Sequence, residues 1–147
     1  MTGAIDRFEG DFSFLSNFYC SSVLFEEISY STVEHAFQAA KTLDRSEREK
    51  IAAAKTPGVA KRLGRRVKLR EDWEQTKVRI MSDLLALKFS DPRLREALAA
   101  TGQAILVEGN TWHDNFWGSC RCDRCGGKGR NTLGYLLMQL REELRPD

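Results

Sequence analysis

The sequence predicts a compact, helix-rich α+β domain spanning residues 1–147, with a few short strands: an N-terminal hairpin and one buried strand near 103–108. Three observations carry this. Phe8, Phe12, Phe14, Phe18, Tyr19, Phe25 and Tyr30 crowd residues 8–30 with little helical periodicity. Further on, apolar residues recur at steps of three and four in several segments, each opened by a cap signal. Ala104 to Val107 is a short apolar run between Gly102 and Gly109, the length of a buried strand. A chain of 147 residues suits one domain that buries roughly two-thirds of its unfolded surface.

Taken in order, Phe8, Phe12 and Phe14 fall on even positions, as residues sharing one face of a strand would. Residues 14–19 read as a turn with aromatic flanks. Val23–Phe25 and Ile28–Tyr30 pair as a hairpin across Glu26 and Glu27. The next helix opens near Ser31, with Val33, Phe37 and Ala40 on one face and Glu34, Gln38 and Lys41 on another. Arg45 to Lys55 forms a charged helix. Thr56-Pro57 starts another, stopped by Gly64. Glu71 to Phe89 is the longest helix, striped by Trp73, Ile80, Leu84 and Leu87 and widened by Met81, Leu85 and Phe89. Asp91-Pro92 opens a further helix that Gly102 ends. Asn131 caps the last one, whose Leu133, Leu136, Leu137, Leu140 and Leu144 face the core.

Charge excludes little but bounds the partners. Lys plus Arg number 23 against 21 Asp plus Glu, a net charge of +2, whereas an avid non-specific nucleic-acid binder is usually more basic. No apolar run has the length of a membrane span, and Asp6, Glu9 and Asp11 stand where a leader would be basic and then apolar. A cytoplasmic chain with no membrane partner is expected. The sequence carries no signal for oligomeric state.

Three carboxylates are candidates for chemistry. Glu34 lies on the Ser31 helix, Glu108 at the end of the buried strand, and Asp114 in a following loop rich in amides and indoles. Singly, each reads as a cap, an ion-pair partner or a turn former; Ser31 and Glu34 fit a capping box. Together with Trp73, Trp112 and Trp117 they outline a site for a flat, hydrogen-bonding ligand such as a nucleobase. Lys41, Lys77 and Arg65 are the candidate phosphate holders. Arg62, Arg65, Arg66, Lys68 and Arg70 form either a phosphate clamp or a solvated basic face.

Cys120, Cys122 and Cys125 have the spacing of zinc ligands, and Cys122-x-x-Cys125-Gly126 reads as a thiolate knuckle. A tetrahedral site needs a fourth ligand, for which only His113, Cys20 and Asp123 are at hand. Structural sites normally declare all four in sequence, so the expectation is no cofactor and no bound metal. Four cysteines, three of them clustered, also do not form a secreted disulfide scaffold.

The segments Phe14-Leu15-Ser16-Asn17-Phe18, Thr32 to Lys41, Gly64-Arg65, Trp73, Met81 and Lys88-Phe89 stand in an order that resembles the NADAR (YbiA-like) family. So do Glu108-Gly109-Asn110, Asp114 to Gly118, and Asn131-x-Leu133-Gly134-x-x-Leu137-Met138. The likeness spans nearly the whole chain. It implies a compact α+β fold and hydrolysis of an N-glycosidic bond, with no metal needed for the chemistry. The implied substrates are ribosylamino-pyrimidine phosphates of early riboflavin synthesis or ADP-ribose on guanine, free or in nucleic acid.

Under that resemblance Glu34 is the expected catalytic carboxylate, with Glu108 and Asp114 orienting ribose or water. Asn17, Phe18, Gln38, Lys41, Arg65, Trp73, Lys77, Trp112, Trp117, Gly118 and Asn131 are the expected substrate contacts. Two other classes compete. One is a module that binds ADP-ribose or a nucleotide without cleaving it. The other is a zinc-knuckle adaptor that binds nucleic acid through the loop at 119–130.

Overall fold

Cap residues decide where the helices begin. The computed structural model describes residues 2–146. Its first half runs β1 (Ala4–Ile5), a 3-10 turn (Gly10–Leu15), β2 (Val23–Phe25), β3 (Ile28–Tyr30), α1 (Val33–Ala40), α2 (Arg45–Ala52) and α3 (Pro57–Gly64). Then come α4 (Trp73–Lys88), α5 (Pro92–Ala100), β4 (Ile105–Leu106), β5 (Gly109–Asn110), β6 (Ser119–Cys120) and α6 (Thr132–Glu143). Thr32, Asp44, Thr56 and Asp91 each accept a first-turn N–H through the side chain, satisfying amides that have no partner inside the helix. The α+β class is the one the sequence predicts. No helix among the described residues is long and apolar enough to cross a membrane.

The chain divides into two compact units. One runs from Asn17 to Lys88 and holds the β2–β3 hairpin with α1 to α4. Glu26 and Glu27 both take positive φ (47° and 74°) between the paired residues Phe25 and Ile28, the backbone a two-residue hairpin turn demands. Arg48 and Arg45 hold the two glutamates at 3.3 and 3.5 Å. Helix α1 is the centre of this unit: all eight of its residues are buried, and α2, α3 and α4 pack around it.

The other unit joins the chain up to Ser16 with the chain from Phe89. Its strands are two-residue pairs, β1 parallel to β4 and β5 parallel to β6. Leu98, Leu106, Leu133 and Leu137 are buried in it.

Several elements depart from their predicted form. Phe12 and Phe14 lie in the 3-10 turn, not on a strand face, because Gly10 at φ +58° turns the backbone out of extension. In β4 only one of the two residues is buried, since a strand alternates its faces and Ile105 points outward. Leu87 is exposed while Lys88 is buried, so the stripe of α4 runs through Trp73, Ile80, Met81, Leu84 and Leu85.

Asn131 precedes α6 but makes no side-chain cap. It sits at φ 54°, ψ 40°, a left-handed conformation that asparagine tolerates better than most residues. Its Oδ1 accepts from the Glu108 amide at 2.9 Å, and its Nδ2 donates to the Leu106 carbonyl at 2.9 Å. The side chain therefore closes the gap between β4 and β5. Losing two such bonds from a left-handed site should cost Asn131→Ala about 2–4 kcal/mol. Asn131→Gly, which relieves the backbone but not the bonds, should cost less. Urea unfolding midpoints of the two variants test that order.

Candidate functional site

In the 17–88 unit the polar face of α1 is buried along with its apolar one. Glu34 is 7% exposed and Gln38 4%. Gln38 Nε2 donates to Glu34 Oε1 at 2.9 Å, and the Glu34 amide donates to the Asn17 carbonyl at 3.1 Å. The capping role the sequence offered to Ser31 and Glu34 belongs to Thr32, whose hydroxyl accepts from the His35 amide at 3.1 Å. The start of the helix is thus served by a neighbour of Glu34, and its carboxylate is engaged by Gln38 four residues on.

His35 is a bracing residue. Its Nδ1 meets the Thr32 hydroxyl at 2.8 Å and its Nε2 the Ala54 carbonyl at 3.0 Å. A carbonyl only accepts, so Nε2 carries the proton there. Gln38 Oε1, Asn17 Oδ1 and the Tyr30 hydroxyl are buried without a hydrogen-bond partner among the described residues, an arrangement that normally costs stability. Asn17 Nδ2 is spent on Met81 Sδ at 3.6 Å.

Lys41, half-buried at the end of α1, has an amine held below its ordinary range. Burial is the main cause; the Glu34 carboxylate opposes it, and the charges of Arg65 and Lys61 add to it. Glu34, Arg65 and Lys61 therefore each lie within electrostatic reach of Lys41, Lys61 being one the sequence reading passed over. Arg70 reinforces the same place. Its amide donates to the Lys41 carbonyl at 2.7 Å, and its guanidinium is forked to Asp72.

The remaining predicted contacts of this unit have these surroundings. Trp73 is 6% exposed and packs against Phe37 with ring centroids 5.0 Å apart. Lys77 pairs with Glu74 at 2.8 Å. Phe18 and Arg65 are exposed.

In the other unit short polar side chains knit the loop that follows β5. Asn110 is the organiser, and the sequence reading missed it. Its Nδ2 donates to Glu108 Oε2 at 3.1 Å and to the Asp114 carbonyl at 2.9 Å, while its Oδ1 accepts from the Trp112 and Asp114 amides. Asp114 Oδ1 in turn accepts from the amides of Phe116 and Trp117 at 3.1 and 3.0 Å. Asn115 Oδ1 accepts from the Cys120 amide at 2.8 Å. The signal for all three was the low aliphatic content of the loop, which leaves such bonds as its means of holding shape.

Gly118 is buried, and only glycine fits there, since a Cβ would overlap Glu108 Oε2 and the Asn110 side-chain amide. Trp117 is half-buried against Phe116 in an edge-to-face pair at 4.8 Å, and Trp112 is 58% exposed. Asn131, placed among the substrate contacts by resemblance, spends both side-chain polar atoms on backbone.

Gly64 has a comparable role beneath Gln38. The sequence gives it as a helix stop, yet it is the last residue of α3, and a Cβ would overlap Gln38 Oε1 and crowd its Cβ and Cδ. Alanine normally improves a helix by up to ~1 kcal/mol over glycine. At Gly64 the clash should win, and Gly64→Ala should lose about 1–3 kcal/mol. A lowered melting temperature, with turnover falling as Gln38 is pushed from Glu34, is the expected reading.

Comparison with known proteins places the sequence and the fold. Residues 6–145 match the NADAR domain family model. The Escherichia coli protein named N-glycosidase YbiA is 44% identical over 137 residues, covering 91% of this chain and 82% of that one. A solved NMR structure of the Escherichia coli protein YbiA superposes with a TM-score of 0.82 at 39% identity, covering 98% of this chain and 86% of that chain. Riboflavin biosynthesis protein PYRR, chloroplastic, from Zea mays is 41% identical over 129 residues, 79% of this chain but 20% of that longer protein. With a family model spanning residues 6–145 and a relative 44% identical over nine-tenths of the chain, the chain belongs to the NADAR domain family.

Proposed function

We propose that this protein hydrolyses the N-glycosidic bond of a ribosylated nucleobase-like substrate, with Glu34 as the catalytic carboxylate. It is a hydrolase of the N-glycosidase class, in keeping with relatives named for that activity. The observation that carries the residue assignment is the burial of Glu34 with its Oε1 held by Gln38 while Thr32 caps the helix. A buried carboxylate is costly unless bonded, and the helix cap, the role the sequence offered to Glu34, is supplied by Thr32.

Cleaving a ribosyl C–N bond builds positive charge at the anomeric carbon. A carboxylate fixed beside it stabilises that oxocarbenium character or takes a proton from the attacking water. Gln38 fixes the orientation of Glu34. Gln38 Oε1 and Asn17 Oδ1 are acceptors suited to the amino and hydroxyl groups of a ribosylated base. Lys41, Arg65 and Lys61 supply the positive charge that a phosphate at the ribose 5-position requires.

Among substrates, a ribosylamino-pyrimidine phosphate is the first choice, supported by a relative named for riboflavin biosynthesis. ADP-ribosylated guanine is the second. A panel of the two, with the guanine adduct presented as nucleotide, DNA and RNA, should show release of free base or free ADP-ribose from one class in preference to the other. Binding to any of these without cleavage would instead mark a recognition module.

Glu34→Gln keeps the shape of the side chain and an acceptor for Gln38 while removing the charge. Its turnover should fall on the order of hundredfold or more, with an unchanged circular dichroism spectrum. Full turnover in a normally folded Glu34→Gln variant sinks the assignment.

A further inference from the structure

We propose that His113, Cys120, Cys122 and Cys125 hold one zinc ion in a closed, structural site. The sequence offered three cysteines and no declared fourth ligand; the fold supplies it. One ligand atom from each of the four residues lies within 4.8 Å of every other. Cys20 and Asp123, the other candidates for the fourth place, are not in the group.

The distances discriminate between coordination and ordinary contacts. His113 Nδ1 stands 3.6 Å from Cys120 Sγ and 3.5 Å from each of Cys122 Sγ and Cys125 Sγ. Zinc binds thiolate sulfur at about 2.3 Å and imidazole nitrogen at about 2.0–2.1 Å, so a tetrahedron has nitrogen–sulfur edges of about 3.6 Å. All three edges match. Hydrogen bonding does not account for the same pattern, because one ring nitrogen has a single proton or a single lone pair and cannot serve three sulfurs equally.

The backbone has the form of a metal knuckle. The Cys125 amide donates to Cys122 Sγ at 3.3 Å, the Gly126 amide to the Cys122 carbonyl at 2.8 Å, and the Gly127 amide to the Cys120 carbonyl at 2.8 Å. Gly126 and Gly127 take the positive φ that this turn needs (63° and 72°). His113 also takes positive φ, at 67°, a conformation that costs a residue with a Cβ and persists where something fixes it. Bringing its Nδ1 onto the three sulfurs is such a constraint.

On binding, the three thiols release their protons to solvent and coordinate as thiolates, while His113 donates the Nδ1 lone pair with its proton on Nε2. Four protein ligands leave no open position, so this zinc carries no reacting water. It would staple the loop after β5 to β6 and the knuckle, fixing the segment in which Asp114 and Trp112 flank His113.

Metal analysis of protein purified without chelator should find about one zinc per chain. Cobalt exchanged into the site should give thiolate charge-transfer bands and tetrahedral ligand-field absorption. As purified, one thiol (exposed Cys20) should react with a thiol reagent, and a strong chelator should release three more. The double variant Cys122→Ser/Cys125→Ser should lose the zinc. Four reactive thiols before chelation, absence of the cobalt bands, or full zinc content in the double variant would each overturn the proposal. The first two are read on the unaltered protein, so a variant that fails to fold does not shelter it.

Discussion

A helix with no solvent-facing side cannot carry an unbonded polar residue without cost, and α1 carries three: Glu34, His35 and Gln38, all buried. The architecture of the 17–88 unit answers that constraint. Thr32 and Ala54 take the two nitrogens of His35. Gln38 takes Glu34, and a glycine beneath it leaves room for the amide. Arg70 ties down the chain where α1 ends. Among the described residues, Gln38 Oε1, Asn17 Oδ1 and the Tyr30 hydroxyl are buried with no hydrogen-bond partner, and the first of these belongs to the residue that holds Glu34.

The second unit meets the same requirement with different means. Its strands are two residues long, too short to organise a loop by pairing alone. Amides and carboxylates do that instead: Asn110, Asp114, Asn115 and Asn131 bond to backbone groups that a longer ladder would have satisfied. Glu108 and Asp114 have structural duties in this network, whatever else they do. The zinc site proposed at His113, Cys120, Cys122 and Cys125 would extend the same strategy from hydrogen bonds to coordination.

Much of the fold was legible because caps and apolar periods are local signals. Thr56-Pro57, Asp91-Pro92 and the Leu stripe of α6 each mark an element from a few neighbouring residues. The hairpin was legible for the same reason. The burial of both faces of α1 was not, since it is decided by helices that pack on it from elsewhere in the chain. Asn131 holds the N-cap position of α6 without a side-chain cap bond, and its bonds to backbone 23 and 25 positions away leave no nearby trace in the sequence. His113 was legible as a candidate ligand, but its approach to the cysteines depends on a backbone turn that sequence spacing does not reveal.

The pairing of β1 with β4 joins Ala4 to Ile105, segments roughly a hundred residues apart, and closing so long a loop is slow. Residues 17–88 gather their helices from near neighbours and need no such closure. As the chain emerges during synthesis, this helical part can take shape while β1 waits for a partner not yet made. Ala4 and Ile5 therefore cannot pair until the residues up to Leu106 have been made.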